Sequence, residues 1–561
     1  MTRPMRKNYI KAHKKTRTGC LSCKKRKLKC DEAQPHCLRC FQFGIVCEGY
    51  RSPPAKISSR KIMAKIPLEV NSESKAAYPK ILIMPSSTLK FADEIEERYF
   101  NTFQTETVSE LAGVFGNPFW HSILLPACHE EPFIKKVAMA LAAISTSKKL
   151  SSHTYSDQAY RSIIAQQTEF AYKQYQAALK EMRIRLQEAS DSRKAVIACL
   201  LICCFECRVG NLGIAHAHAI SGLKLLEQWI AQHPYRKLRN VGIGSPADYL
   251  IEDDTIQASY FFDAQIAGYL DPRPAHIHSR LRHEGDETVA QMPQRFQSIK
   301  EAHRYGMLIF RRALHSCREI GELAGDGRLS TTSDYQILGE GVAALSLAPV
   351  EAQASRSPIE DMHIFLDQQR QHSLEIQMWR SAFDDLYKRT MLQTNKQERA
   401  AAHVLLALSR AYDVAIFQSL NMDNCLCDNF TFEFQEINSL ARKAIRLQKS
   451  QNPNMDFTFD LSISAALFVS ARFCRDRSLR REAISLMKLY GVMEGFFDTE
   501  YAIAMCVKVM ELEEKDCATD YIPGSSRIRF IEETVHPEQR WCTFHYIRGD
   551  EEIARESDFR W

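Results

Sequence analysis

Six cysteines packed into about thirty residues constrain this chain more than any other feature. Between Gly19 and Tyr50 it reads GCLSCKKRKLKCDEAQPHCLRCFQFGIVCEGY, with Cys20, Cys23, Cys30, Cys37, Cys40 and Cys47 spaced C-x2-C-x6-C-x6-C-x2-C-x6-C. The last three repeat the first three with a shift of seventeen residues. So short a segment cannot build an apolar core, and bonds to its sulfurs must supply the folding energy. A disulfide knot is disfavoured: the cysteines sit among Lys and Arg with no secretory signal ahead of them. Paired C-x2-C units, each followed by a third cysteine, suit tetrahedral thiolate sites for Zn²⁺. Two Zn²⁺ ions need eight ligand positions and six thiolates are present, so two cysteines must bridge. The repeat nominates its equivalent pair, Cys20 and Cys37.

The two halves of the repeat differ in charge. Lys24, Lys25, Arg26, Lys27 and Lys29 lie between Cys20 and Cys30, whereas Arg39 is the one basic residue between Cys37 and Cys47, beside Phe41, Phe43, Ile45 and Val46. The first half therefore reads as the DNA-facing half and the second as a packing half. A short helix starting near Cys23 would present Arg26 and Lys27, whose cations can donate to guanine O6 and N7 in a major groove. Lys24, Lys25 and Lys29 are assigned to phosphates, which set orientation without reading sequence. Residues 1–60 carry sixteen Lys and Arg against three acidic residues, a formal +13, while the rest is formally −7 within a net charge of +6. A basic block of this density calls for a polyanion, and double-stranded DNA is the expected partner.

This stretch resembles the fungal binuclear zinc cluster (Zn2Cys6) transcription factors, on the six cysteines, the run KKRKLKC, Asp31, Pro35 and Gly44. The resemblance implies two zinc ions bridged by the first and fourth cysteines, and base contacts at Arg26 and Lys27 reading a CGG triplet. It also implies a nuclear regulator of RNA polymerase II genes. Farther on, NPFWHSILLPACHEEPFIKKVAMALAAIS and KAVIACLLICCFECRVGNLGIAHAHAISGLKLL are similar to the helical regulatory domain of a large subgroup. That implies contacts with transcriptional machinery or co-regulators, and a small-molecule effector as one form of regulation. Subgroup members act in secondary metabolism and sterol handling.

The expected fold is thus a small cluster domain of two short helices and loops, joined by a flexible linker to a large all-α regulatory domain. The divisions are a basic arm (1–19), the cluster domain (20–50), a linker (51–88), the helical domain (89–520) and a C-terminal segment (521–561). The arm has basic residues but no apolar run, so it reads as neither signal peptide nor anchor; Lys14, Lys15 and Arg17 suit nuclear import or phosphate contact equally. Pro53, Pro54, Pro67, Pro79 and Pro85 keep the linker from forming a long helix. No apolar heptad follows the cluster. Binding as a monomer to one triplet and dimerisation through the later domain both stay open.

From Leu89 to Glu514 the apolar spacing is helical. Phe91, Ile95, Tyr99 and Phe103 recur at four-residue steps after a cap at Ser87 or Thr88. Ile134, Val137, Ala138, Leu141 and Ile144 mark the next helix, and Ile163, Phe170, Ala178, Leu179, Met182 and Leu186 a long one. Further helices are expected at 193–208, 213–231, 254–269, 297–322, 359–393, 396–420, 434–449, 459–474, 478–490 and 497–514, with breaks at 270–295 and 323–358 and no sheet. The longest apolar run, Ala195 to Phe205, is too short to span a bilayer, and no membrane association is expected. Cys199, Cys203 and Cys207 share one helical face and read as core thiols rather than ligands. His216 and His218 read as packing or capping residues, and Cys425 and Cys427 receive no role. The closing SRIRFIEETVHPEQRWCTFHYI alternates about a His536–Pro537 turn and predicts a hairpin, followed by an acidic tail read as a partner contact or an inert end.

An enzyme is the competing class, either a helical-domain enzyme with an appended cluster or none. The signatures G-x-x-x-x-G-K-[ST], H-E-x-x-H and G-x-S-x-G, and a strand-linked G-x-G-x-x-G, do not occur. The enzyme reading therefore has no catalytic residues to name. An effector-responsive regulator is the further alternative, and it requires a pocket.

Overall fold

The computed structural model describes Cys20, Cys23, Lys24, Cys30 and Glu32, and residues 90–561 apart from 153–157, 189–190, 236–240, 270, 324–357, 421–423, 516, 537–538, 550 and 552. The linker expected at 51–88 and most of the break expected at 323–358 lie outside these residues. The chain divides into two units, Met1–Ser87 and Thr88–Trp561.

The second unit begins at α1 (Glu94–Thr102), which runs through a π-turn (Phe103–Thr107) into α2 (Val108–Leu111). Its cap is Asp93, whose Oδ1 accepts the backbone N–H groups of Ile95 and Glu96 at 2.9 Å, not the Ser87 or Thr88 expected from the sequence. The four-residue stripe is corrected with it. Phe91 precedes the helix and Ile95 faces solvent, while Tyr99, Phe100 and Phe103 are buried. A carboxylate directly before the first turn satisfies orphan N–H groups better than a hydroxyl a turn earlier.

After a second π-turn (Phe119–Leu124) come α3 (Leu125–Glu130), α4 (Pro132–Ser152), α5 (Gln158–Glu188), α6 (Ser192–Val209), α7 (Leu212–Gln232) and α8 (Asp253–Tyr269). Ile134, Val137, Ala138, Leu141 and Ile144 of α4 are all buried, as their spacing predicts. In α5 the most buried residues are Ala171, Tyr175 and Ala178, whereas Ile163 is exposed. The Cys199, Cys203 and Cys207 face of α6 packs on α7. The Cys203 thiol donates to Ala215 O at 3.2 Å, and a Cβ at Gly222 would come within 2.9 Å of Cys199 Cβ. Burial pushes the Cys203 and Cys207 thiols well up, as expected of core cysteines rather than ligands. His216 lies edge-on to Phe496, a packing contact.

The break expected at 270–295 holds two short helices, α9 (Ala275–Leu281) and α10 (Asp286–Ala290). Then follow α11 (Ile299–Leu323), α12 (Pro358–Met391), α13 (Lys396–Leu420), α14 (Thr431–Gln451), α15 (Ile463–Phe473), α16 (Arg477–Tyr490) and α17 (Thr499–Glu514). By length and composition α13 could cross a membrane, but two thirds of its apolar window is buried against α11, α12, α14 and α15. It is the central helix of the second half of the core.

The expectation of no sheet before residue 514 is overturned by β1 (Phe457–Thr458) and β2 (Met493–Glu494), paired in parallel with Phe457 opposite Met493. Two residues are too few to leave an alternating pattern. The predicted hairpin is present as β3 (Ile528–His536) and β4 (Trp541–Arg548). The tail read as a partner contact or inert end instead adds a third antiparallel strand, β5 (Arg555–Arg560). Cys542, Phe544 and Tyr546 of β4 alternate inward onto Tyr501, Met505 and Val509 of α17. Phe559 of β5 closes the same cluster, and the pairing of β5 removes an otherwise open edge from β4.

Candidate metal centre and DNA-facing helix

Cys20, Cys23 and Cys30 are brought together, with their sulfurs within 4.8 Å of one another and exposures of 0%, 1% and 6%. In a tetrahedral zinc site with Zn–S bonds of 2.3 Å, neighbouring sulfurs stand about 3.8 Å apart. The three thiols therefore need only a small contraction to share one ion. The backbone is arranged for charged sulfur as well. Cys20 Sγ accepts the N–H of Cys23 at 3.3 Å, and Cys30 Sγ accepts those of Cys20 and Glu32 at 3.4 Å each. Donors aimed at sulfur stabilise a thiolate over a thiol and orient its lone pairs.

Two local turns create this arrangement. Cys23 and Lys24 are helical, and the Lys24 N–H donates to Cys20 O at 3.0 Å, so the C-x2-C pair closes on one helical turn. Beyond Cys30 a turn conformation stands at Glu32, whose φ of 62° lies in the left-handed region. That turn directs the Glu32 N–H at Cys30 Sγ, and the sequence reading did not single it out. A non-glycine residue holds this conformation only where the surroundings compensate for it.

Lys24 is exposed on the helix that starts at Cys23. The other residues assigned from the sequence, Cys37, Cys40, Cys47, Lys25, Arg26, Lys27 and Lys29, lie outside the described residues. The thiolate triad fits zinc in number, softness and burial. As ligands, Cys20, Cys23 and Cys30 would hold three positions of one ion.

A second cluster of ligand-type side chains, Asp271, His278 and His315, also falls within 4.8 Å, in the helical unit. Arg273 donates to both oxygens of Asp271, at 2.8 and 2.5 Å, and reaches Asp263 at 2.6 Å. Arg311 holds Asp263 at 3.0 Å, and His315 Nε2 lies 3.1 Å from the same carboxylate. Burial acts to raise the Asp263 pKa, but Arg273, His315 and Arg311 hold it well below the usual range. Burial pushes His278 down to about 4. With guanidiniums already neutralising the carboxylates, this is a buried ion-pair network and a poor seat for a cation.

Residues 18–57 match the model of the fungal Zn(2)-Cys(6) binuclear cluster domain, and residues 98–252 that of the fungal specific transcription factor domain. Over 228 residues the chain is 28% identical to the aspercryptin biosynthesis cluster-specific transcription regulator atnN of Emericella nidulans, covering 38% of this chain and 35% of that protein. It is 24% identical over 221 residues to the transcription regulator lscL of Purpureocillium lilacinum, covering 38% and 49% respectively. With the transcriptional regulatory protein moc3 of Schizosaccharomyces pombe it shares 30% identity over 98 residues, covering 18% and 19%. The chain therefore spans less than half the length of each of these relatives. No solved structure matches it.

Proposed function

From a chain that joins a fungal Zn(2)-Cys(6) cluster domain to a fungal specific transcription factor domain, we propose a nuclear, sequence-specific regulator of RNA polymerase II genes. The observation that carries this reading is the buried Cys20, Cys23 and Cys30 triad, with Cys23 and the exposed Lys24 in a helical turn at the head of the basic run. Cys20, Cys23 and Cys30 would hold zinc as thiolates, and a bound ion would supply the folding energy that so small a segment lacks. Cys20, the bridging candidate paired with Cys37, already accepts the N–H that opens the helix.

On this helix Arg26 and Lys27 read a CGG-type triplet, while Lys24, Lys25 and Lys29 hold phosphates. The six cysteines carry two Zn²⁺. The helical unit regulates and contacts the transcriptional machinery. The proposed targets are genes of secondary metabolism, since the similarity to atnN, named as specific to a biosynthesis cluster, extends beyond the cysteines.

Zinc analysis and DNA selection on the full chain test the proposal. Two zinc ions per chain and enrichment of CGG sites are expected. Lys27→Ala should cost about 1–3 kcal/mol at the selected site and relax its selectivity, whereas Lys25→Ala should weaken all DNA alike. Uniform loss in both variants would remove the assignment of readers, and absence of zinc would remove the proposal itself.

A further inference from the structure

Within the helical unit α8, α11, α13, α15, α17 and β3 surround a cavity of about 300 Å³. That is ample for an organic molecule, since one water needs only about 10–15 Å³ on the same measure. The cavity follows from residue choice. Ala264 and Gly268 on α8, Ala411 and Ala415 on α13, Ala465 on α15 and Ala502 on α17 all line it. Two of these pairs stand four apart, on one helical face. Gly268 is not required by close packing, because a Cβ there would meet Leu314 at 3.7 Å, an ordinary contact. Small side chains at six wall positions on four helices leave space that Leu or Phe would fill.

Among its carboxyl and amide side chains, the described wall has one with bonding capacity to spare. Gln265 is committed at both ends, donating to Phe459 O at 2.7 Å and accepting from Phe496 N at 2.9 Å. Asp498 caps α17 through the N–H groups of Glu500 and Tyr501 and accepts the Trp561 indole N–H at 3.1 Å. Among the described residues, Glu533 accepts the long 3.6 Å contact from the Cys542 thiol and feels the Arg472 guanidinium without a hydrogen bond to it. Among the described lining residues there are two carboxyl groups and no Lys, Arg or His. Burial pushes the Glu533 carboxyl up to about 7, with Cys542 and the Arg472 guanidinium acting in the opposite direction. Its charged form is therefore short of compensation.

We propose that this cavity is an effector site for a hydrophobic amine, whose ammonium pairs with Glu533 while its hydrocarbon fills the Ala- and Phe-lined space. Charge decides the class. A fatty acid of the same size would bring a third carboxylate to a lining that has no cation among the described residues, and a neutral alcohol would add no counter-charge to that of Arg472. The site belongs to the helical unit, so the proposal stands or falls separately from the zinc-cluster reading.

Calorimetry on the full chain, without DNA, tests it with n-decylamine, n-decanol and n-decanoate, each kept below its aggregation concentration. Decylamine should bind one per chain and about tenfold or more tighter than decanoate. Glu533→Gln should remove that preference for the amine, and Ala465→Phe should block all three ligands while melting as the parent does. Equal affinity for decylamine and decanoate in the unmodified chain would overturn the proposal, as would folded variants that bind like the parent. The ligand comparison needs no variant and decides the matter even if Glu533→Gln fails to fold.

Discussion

Replacing Glu513 by Gln should loosen the attachment of the C-terminal sheet to the helices. Glu513 lies on α17 with no exposed surface. Its Oε2 accepts from Arg527 Nη1 at 3.0 Å and stands 2.6 Å from Arg480 Nη2, while Oε1 accepts the Ile528 N–H at the start of β3. Arg472 is the third guanidinium of the group, and its carbonyl accepts from Arg527 Nη2 at 3.2 Å. One carboxylate is thus shared among three buried cations. Burial acts to raise its pKa, but Arg527, Arg480 and Arg472 hold it below 4.5. Removing one partner from a buried pair costs about 3–5 kcal/mol. A unit of about 470 residues has an unfolding entropy of roughly 1 kcal/mol/K near 60 °C, so Tm should fall by about 3–5 °C. Amide exchange in β3 should quicken more than in α13. The pH dependence has a definite sign: the depressed carboxyl contributes fully above its unfolded value of 4.5 and less as pH falls through its folded value. The gap between variant and parent should therefore close in acid. A Tm within about 1 °C of the parent at neutral pH would refute the reasoning.

Three more outcomes are expected. Gly113→Ala should destabilise the helical unit by about 1–3 kcal/mol in denaturant unfolding, because Gly113 has φ +57° and a Cβ there would stand 2.5 Å from Thr458 Oγ1. Trp379→Phe should cost about 0.5–1.5 kcal/mol, since the buried indole N–H donates to Ala302 O at 2.8 Å and the variant loses that hydrogen bond. Among the described cysteines of the helical unit, Cys517 should react first with a thiol reagent. Its thiol is lowered by Thr519, whereas burial raises Cys203, Cys204 and Cys207, and Cys517→Ala should remove the fastest phase.

What the sequence determined by itself about this protein is what local spacing encodes. Ligand geometry set by C-x2-C requires one helical turn, and Cys20, Cys23 and Lys24 form it. Apolar spacing located α6 and α11 to α17 within a few residues of their observed ends, because a buried helical face must repeat every three or four positions. Only the tertiary structure decided features whose partners are distant along the chain. Thr458 pairs with Glu494, Asp263 meets His315 and Arg311, and Gln265 joins Phe459 to Phe496. The third strand was hidden because RESDFR buries chiefly Phe559 and carries no alternation of its own; hydrogen bonds to β4 make it a strand. The cavity was hidden for a related reason. Each alanine on its wall is an ordinary helix residue in sequence, and the space exists only where four helices turn their small residues toward one another and Glu533 arrives from a strand. Local chemistry is written in spacing, whereas volume and charge balance in a core are sums over elements far apart in the chain.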